Sequence, residues 1–589
     1  MGALKAVNKY FWKYRLIYGL GLLFTLLSNF FGSFAPAVVG QAVDFAFKGT
    51  PMPFTEFLNI QANSVNKMIL IAAIIIVTLT LLRGLFLFLM RRTIIVASHR
   101  IVADLRNDLY SHYQTLDQTF YKRNSTGDLM SRLTEDVSNV RMYAGPSLMY
   151  FVNMVAMFGF YIYQMMSIDV VLTFWVLLPL PLLSLSIYIV SSIIFKKNKA
   201  IQVKLSGLTS LAQETFSGVR VIKSYAREEA FQGLFEKEAE EYKQDALSLA
   251  RTEAFFFPLM LILIGLSTII AVYVGGQHVE KGLIDVGMIT SFVIYVGALT
   301  WPVTSLGWIA SLVQKAAASQ KRINEFMDTN SAITSDPSEV AELSNEIEFK
   351  NVSFTYEDSG IQAVKNVSFD IKSGEKVAII GRTGSGKTTI ADLLLRVFDP
   401  QSGTIALNGK DIKTFSLHEL REFIGYVPQD VFLFSDTIAN NISITKNEAS
   451  LDEIKHAAQS AAVAKDIERF PDQYDTVVGE RGVMLSGGQK QRISIARALI
   501  KDPALLILDD ALSAVDAETE KEILDEFDAL FKNKTVLVIT HRIFTLFDVD
   551  KIMVLDDGEI VEMGTHEQLY KQKGIYYELY ELQSADQNF

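Results

Sequence analysis

Apolar residues gather in six long runs over the first half of the chain, and a helix crosses a bilayer with about 20 such residues. The runs lie near Leu16–Val39, Met68–Met90, Ser147–Met166, Val170–Phe195, Phe255–Gly275 and Ile284–Leu312. Basic residues mark one side: Arg91, Arg92, Arg100, Lys196, Lys197 and Lys199 share the side of the amino terminus. The other side has short connections such as Ser167-Ile168-Asp169 and Gln277–Leu283. That bias predicts a cytoplasmic amino terminus and a cytoplasmic second half. Two intervals between runs, Arg91–Pro146 and Lys196–Arg251, keep helical apolar spacing, as at Ile101, Leu105, Leu109 and at Leu208, Leu211. At about 1.5 Å per residue, a 25-residue arm reaches roughly 35 Å. The hairpin tips, near Thr119–Gly127 and Thr215–Lys223, are therefore predicted to stand clear of the membrane, within reach of a cytoplasmic domain.

Beyond the sixth run the period changes. Asp328–Asn345, rich in Ser, Asp, Glu and Thr with Pro337, reads as an exposed linker. Val352 to Tyr356 alternates like a strand, and Lys376–Ile380 and Ala504–Leu508 are short, mostly apolar runs suited to buried strands. The interval Ser416–Asp475 reads as mainly helical. The pattern predicts a membrane α-helical domain over residues 1–327, a linker over 328–345, and an α/β domain over 346–589 with the mainly helical Ser416–Asp475 inside it.

Composition supports the division: half of the residues are apolar, and 39 are Phe. Residues 1–330 carry 29 Lys and Arg against 22 Asp and Glu; residues 331–589 carry 26 against 44. An acidic second half argues against a nucleic-acid partner, because phosphate backbones call for basic surfaces. With no cysteine, disulfides and thiolate sites are excluded. Met1–Arg15, with Lys5, Lys9, Tyr10, Phe11, Trp12, Lys13 and Arg15, reads as an interfacial helix on the inner membrane surface rather than a cleavable signal. Prolines 36, 179, 181, 258 and 302 sit within the runs as helix breaks or hinges. Arg83 lies inside the second run and is expected to snorkel toward the inner boundary. Tyr150, Phe151, Met154, Trp301 and Trp308 are candidates for an apolar substrate surface, with lipid contact or packing as the plainer use.

The chemistry lies in the second half. Gly381-Arg382-Thr383-Gly384-Ser385-Gly386-Lys387-Thr388 follows the Lys376–Ile380 strand and has the spacing of a phosphate-binding loop. Its glycines let successive N–H groups turn toward phosphate oxygens, and Lys387 brings a charge to the β/γ-phosphates. Thr388 offers a hydroxyl to Mg²⁺, and the helix that starts there with Thr389 points its positive end at the same phosphates. Asp509 and Asp510 end the Ala504–Leu508 strand, where a Mg²⁺ shell needs a carboxylate. A second glycine turn, Leu485-Ser486-Gly487-Gly488-Gln489, feeds another helix.

With these motifs the second half resembles the ATPase domain of an ATP-binding cassette (ABC) transporter, and the whole chain resembles a bacterial exporter half-transporter. The likeness runs from the first helix to Gly564-Thr565-His566-Glu567 and includes Thr126–Leu133 after the first tip. It implies that Tyr356 stacks on adenine and that Gln429 sits near Mg²⁺ and the attacking water. It further implies that Ser486, Gly487, Gly488 and Gln489 grip ATP held by another chain, that Ser513 to Asp516 form the D-loop, and that His541 is the switch histidine. ATP and Mg²⁺ would then be bound, with Thr388, Gln429 and Asp509 around the metal and Gln429, Asp510 and His541 in catalysis. One position departs from the pattern: the family usually has glutamate where this chain has Asp510, one methylene or about 1.5 Å shorter. The resemblance implies ATP-driven export of an amphipathic or lipid-like substrate by a dimer in the inner membrane. The short Asp510 favours a heterodimer with a catalytically stronger half, and the retained Gln429 and His541 leave a homodimer open. An ATP-gated channel or regulator on the same architecture is the alternative.

Overall fold

The computed structural model describes residues 2–49, 65–334, 346–479, 482, 484–512, 523, 534–543 and 549–587. These separate into two compact units, one of residues 1–114 with 126–329 and one of residues 115–125 with 330–589. The first hairpin tip thus groups with the second unit. The expected D-loop, Ser513 to Asp516, and most of the linker lie outside the described residues.

In the first unit, six helical stretches are long and apolar enough to cross a membrane: Arg15–Lys48, Val65–Tyr113, Thr126–Ile168, Val170–Ser217, Glu228–Glu280 and Val286–Met327. They contain the first five apolar runs whole and the sixth from Val286 on, Ile284 and Asp285 preceding that helix, and most extend far past the runs. The second stretch is one unbroken helix of 49 residues, because helical spacing carries on into Ile101, Leu105 and Leu109, all buried. The third is broken by two π-turns, Arg132–Asp136 and Tyr143–Ser147, the second holding Pro146. Such one-residue insertions re-aim the helix that follows. Pro179 starts a helix after a break at Leu178, whereas Pro36, Pro258 and Pro302 sit inside helices.

The first and sixth spans meet backbone to backbone. A Cβ on Gly287 would stand 1.9 Å from the Gly40 carbonyl oxygen. Around that contact the Gly287 N–H donates to Asp44 Oδ1 (2.6 Å), Ser291 Oγ donates to the Pro36 carbonyl (2.9 Å) and Tyr295 OH donates to the Ser33 carbonyl (2.7 Å). Polar side chains thus replace apolar packing along this seam, where lipid cannot satisfy them. Arg83 departs from the snorkelling expectation: its side chain lies across Gly32, midway along the first span. The amino-terminal helix Asn8–Lys13 is pinned to the second span's cytoplasmic extension through Lys9 and Tyr10 to Asp108 and Lys13 to Asp104.

The second unit holds two sheets. β1 (Ile347–Thr355), β2 (Gln362–Ile371), β4 (Ser402–Leu407) and β5 (Lys410–Asp411) form an antiparallel sheet in the order β2-β1-β4-β5. The other has the order β10-β9-β3-β8-β7-β6, built from β3 (Lys376–Ile380), β6 (Ile424–Val427), β7 (Leu505–Asp509), β8 (Thr535–Thr540), β9 (Lys551–Asp556) and β10 (Glu559–Gly564). All neighbours in it are parallel except β9 and β10. β7 and β8 are buried at every position, as a sheet covered on both faces requires. The interval Ser416–Asp475 is helical at Leu417–Phe423, Ile438–Ser443, Leu451–Ser460 and Ala464–Ile467, but Ile424–Val427 leaves it to pair with β7 as β6. Four residues are too few to show a strand period against helical neighbours.

Candidate functional site

Parallel α/β sheets bind ligands beyond the carboxyl ends of their strands, and four such ends converge here. The phosphate loop leaves β3, Gln429 follows β6, Asp509 ends β7 with Asp510 next to it, and His541 follows β8. Tyr356, Thr383, Gly384, Gly386, Lys387, Thr388, Thr389, Gln429, Asp509, Asp510 and His541 line one cleft. Ile361 and Ala363, which the sequence reading passed over, also line it. Their only sequence signal is a place just after the turn that follows Tyr356.

The loop's glycines are required by geometry. Gly384 and Gly386 have φ of +83° and +99°, where a side chain is strained. A Cβ on Gly386 would also stand 2.1 Å from the Ala363 carbonyl oxygen. Gly386 caps the helix Lys387–Leu394, whose amino end opens into the cleft. Lys387 Nζ donates to the carbonyls of Gly381 (2.9 Å) and Arg382 (2.8 Å), and burial lowers its pKa against the opposing pull of Asp510 and Asp509. Ser385 is buried beneath the loop and Thr389 is buried on its helix, where the Thr389 hydroxyl meets Tyr356 OH at 3.1 Å.

Asp509 is buried, and Thr388 Oγ1 donates to its Oδ1 at 3.3 Å. Its Oδ2 is buried without a hydrogen bond. Burial, with Asp510 alongside, pushes the Asp509 pKa up to about 6 despite Thr388 and Lys387. A carboxylate desolvated in this way is short of a cation. Among the described residues no cluster of three His, Asp or Glu could hold a metal alone. The donors present, one hydroxyl and one carboxylate facing a phosphate cradle, instead fit Mg²⁺ that takes its other ligands from nucleotide and water.

Asp510 holds the most constrained position. Its φ is +49°, its N–H donates to the Ile539 carbonyl at 2.7 Å, and it is 8% exposed. His541 Nδ1 lies 2.9 Å from Oδ1, and Gln429 Nε2 donates to Oδ2 at 3.4 Å. The loop bearing His541 is held from behind, where Gln583 Nε2 donates to the His541 carbonyl and the Ile543 N–H donates to Gln583 Oε1. Asp510 is therefore in contact with both of the other expected catalytic side chains. Neither the His541–Asp510 contact nor Gln583's part in it has a local sequence signal.

The second glycine turn stands apart. Ser486 caps the helix Gly487–Leu499 by accepting from the Gln489 N–H, while Gln489 Oε1 accepts from the Ser486 N–H. None of Ser486, Gly487, Gly488 and Gln489 lines the cleft that holds Lys387.

Residues 18–303 match the family model of the ABC transporter transmembrane region, and residues 364–513 match the family model described as ABC transporter. The chain is 36% identical to a probable multidrug resistance ABC transporter ATP-binding/permease protein, YheI, of Bacillus subtilis (strain 168), covering 98% of this chain and 97% of that one. It is 37% identical to the multidrug resistance-like ATP-binding protein MdlA of Escherichia coli (strain K12), covering 83% of each. With an ATP-dependent lipid A-core flippase of Photobacterium profundum it shares 34% identity over 87% of this chain and 88% of that one. A bacterial Atm1-family ABC exporter solved with ATP bound superimposes with a TM-score of 0.76 at 26% identity, covering 97% of this chain and 98% of that chain.

Proposed function

From the premise that this chain belongs to the ABC transporter family, as a multi-pass inner-membrane exporter with a cytoplasmic ATPase, we propose that it is one half of a dimer that expels an amphipathic or lipid-like substrate. ATP binding and hydrolysis coupled to transport come with the family. The observation that carries the finer reading is the convergence of Lys387, Gln429, Asp509, Asp510 and His541 at four strand ends. In this reading the glycine loop and Lys387 hold the phosphates, and Tyr356 stacks on the base. Thr388 and Asp509 would hold Mg²⁺, with Gln429 at its edge; the metal neutralises charge on the β/γ-oxygens. Asp510 orients the attacking water and accepts its proton, and His541 fixes the carboxylate.

Two features favour a heterodimer. The Asp510 carboxylate is short, and His541 and Gln429 engage its two oxygens. Ser486 to Gln489, intact and away from this chain's own cleft, are suited to closing over nucleotide held by a partner. The two hairpins act as levers between cassette and spans. Substrate class is argued from the spans, where Tyr150 packs against Trp301 (5.5 Å) and Trp308 (5.3 Å), with both tryptophans about half exposed. The relatives' multidrug and lipid A names support the same chemistry.

The test is accumulation of a fluorescent lipophilic amine in inside-out proteoliposomes, with the Lys387→Ala variant as control. An exporter concentrates the amine above its equilibrium level only with ATP and only with Lys387. A channel or regulator on this architecture would let it equilibrate and no more.

A further inference from the structure

The first hairpin tip brings a charge to the aromatic that is read as the base-stacking residue. Lys122 lies in the last turn of the short tip helix Gln118–Arg123, and its Nζ stands 4.6 Å from the centre of the Tyr356 ring and 4.7 Å from that of Phe398. The two rings are nearly perpendicular, at 88°, so the ammonium sits in an aromatic corner. Next to it Arg123 pairs with Glu357 at 2.5 Å, tying the tip to the residue after Tyr356. The anchor on the other side is Asp117, which caps the tip helix and accepts from the Ala332 N–H at 2.7 Å. Lys122 also acts on the charge of Asp392, whose carboxyl is raised to about 6 by burial while the charge of Lys122 draws it down.

Tyr356, Thr388 and Lys387 line the nucleotide cleft; Lys122, Phe398 and Asp392 do not. The ammonium thus contacts the Tyr356 ring without itself lining the cleft. A cation over one ring face fixes the ring's position and its electron density together.

We propose that Lys122 is a positioning residue for base recognition, holding the Tyr356 ring so that purine stacking and the seating of the first hairpin tip reinforce one another. This rests on the reading of the cleft as an ATP site. By reciprocity, whatever Lys122 adds to base binding, the bound base adds to the tip's attachment. Triphosphate alone would grip the loop without engaging this link. The hairpin thus answers to the base and not only to the phosphates.

The experiment compares binding of ATP and of inorganic tripolyphosphate to the full chain in lipid. Lys122→Met is expected to weaken ATP by roughly threefold to tenfold, the span of one partly desolvated cation–π contact, with tripolyphosphate unchanged. In a Tyr356→Leu background the same substitution should add nothing, which isolates the pair. Lys122→Arg keeps the cation and should restore ATP binding, so a fault in folding is distinguished from loss of the contact. Hydrogen exchange over residues 115–125 should slow more with ATP than with tripolyphosphate, and that difference should vanish in Lys122→Met. Equal weakening of both ligands, or an undiminished effect without Tyr356, overturns the proposal. Lys387→Ala should abolish binding of both ligands; if it does not, the ATP-site reading itself fails, whatever Lys122 does.

Discussion

Replacing Asp510 with glutamate tests the site where its sequence is most unusual. The added methylene advances the carboxylate by about 1.5 Å, and a misplacement of about 1 Å costs roughly 10²-fold in rate. A gain of that size corresponds to about 2.7 kcal/mol off the barrier. Two features of the native site work against it. Asp510 sits at φ +49°, a conformation aspartate tolerates better than glutamate, and the exchange should cost up to about 1 kcal/mol of folding stability. The native carboxylate is also matched to His541 at 2.9 Å, so a longer side chain has to slide past the imidazole. The expected outcome is an ATPase rate of the chain alone in lipid raised by roughly 30- to 100-fold, with a small drop in melting temperature. Robust, Lys387-dependent turnover by the native chain, unchanged by Asp510→Glu, would refute the argument from length and favour a homodimer that works with aspartate.

Gly386→Ala puts a Cβ 2.1 Å from the Ala363 carbonyl at φ +99°. It should lose stability by about 1–3 kcal/mol and bind ATP at least tenfold more weakly; melting and nucleotide titration report the two. Gly287→Ala would press within 1.9 Å of Gly40 and crowd Asp44, costing about 1–3 kcal/mol by overpacking. Because the chain has no cysteine, a single pair introduced across this seam should crosslink faster in the native protein than in the variant. Asp392 has its folded pKa raised to about 6. Its stabilising effect is complete below about pH 4 and is lost as pH rises through 6. Asp392→Asn should therefore raise the melting temperature at pH 7.5, by up to about 2 kcal/mol of stability, and leave it unchanged near pH 4.

Local pattern made the spans visible because one apolar run suffices for each, yet it did not show where the helices end. Val65–Tyr113 leaves the apolar region near Met90 without any backbone signal, since polar residues at helical spacing continue the same rod. The π-turn at Tyr143–Ser147 was hidden for the opposite reason, being a one-residue register change with helix on both sides of it. In the cassette, Gly384, Gly386, Lys387 and Thr388 could be read because a phosphate cradle needs those residue types in that order. The contacts of Asp510 with His541 and Gln429 could not, because they join strand ends that are distant in the chain and adjacent only in the sheet. Lys122 lies further from view: in Lys122-Arg123-Asn124 it looks like any solvated tip.

The way Lys387 is held bears on how the machine lets go. Its ammonium already has two acceptors within its own loop, the carbonyls of Gly381 and Arg382. An incoming phosphate oxygen thus exchanges for a carbonyl instead of rescuing a stranded charge, so part of the attraction cancels. In the proposed cycle the same carbonyls would take the ammonium back when phosphate departs, and product release would not strand a half-buried cation. On the proposed function, a loop that solvates its own lysine would trade grip for turnover, catching nucleotide less greedily so that spent phosphate would not jam the cycle.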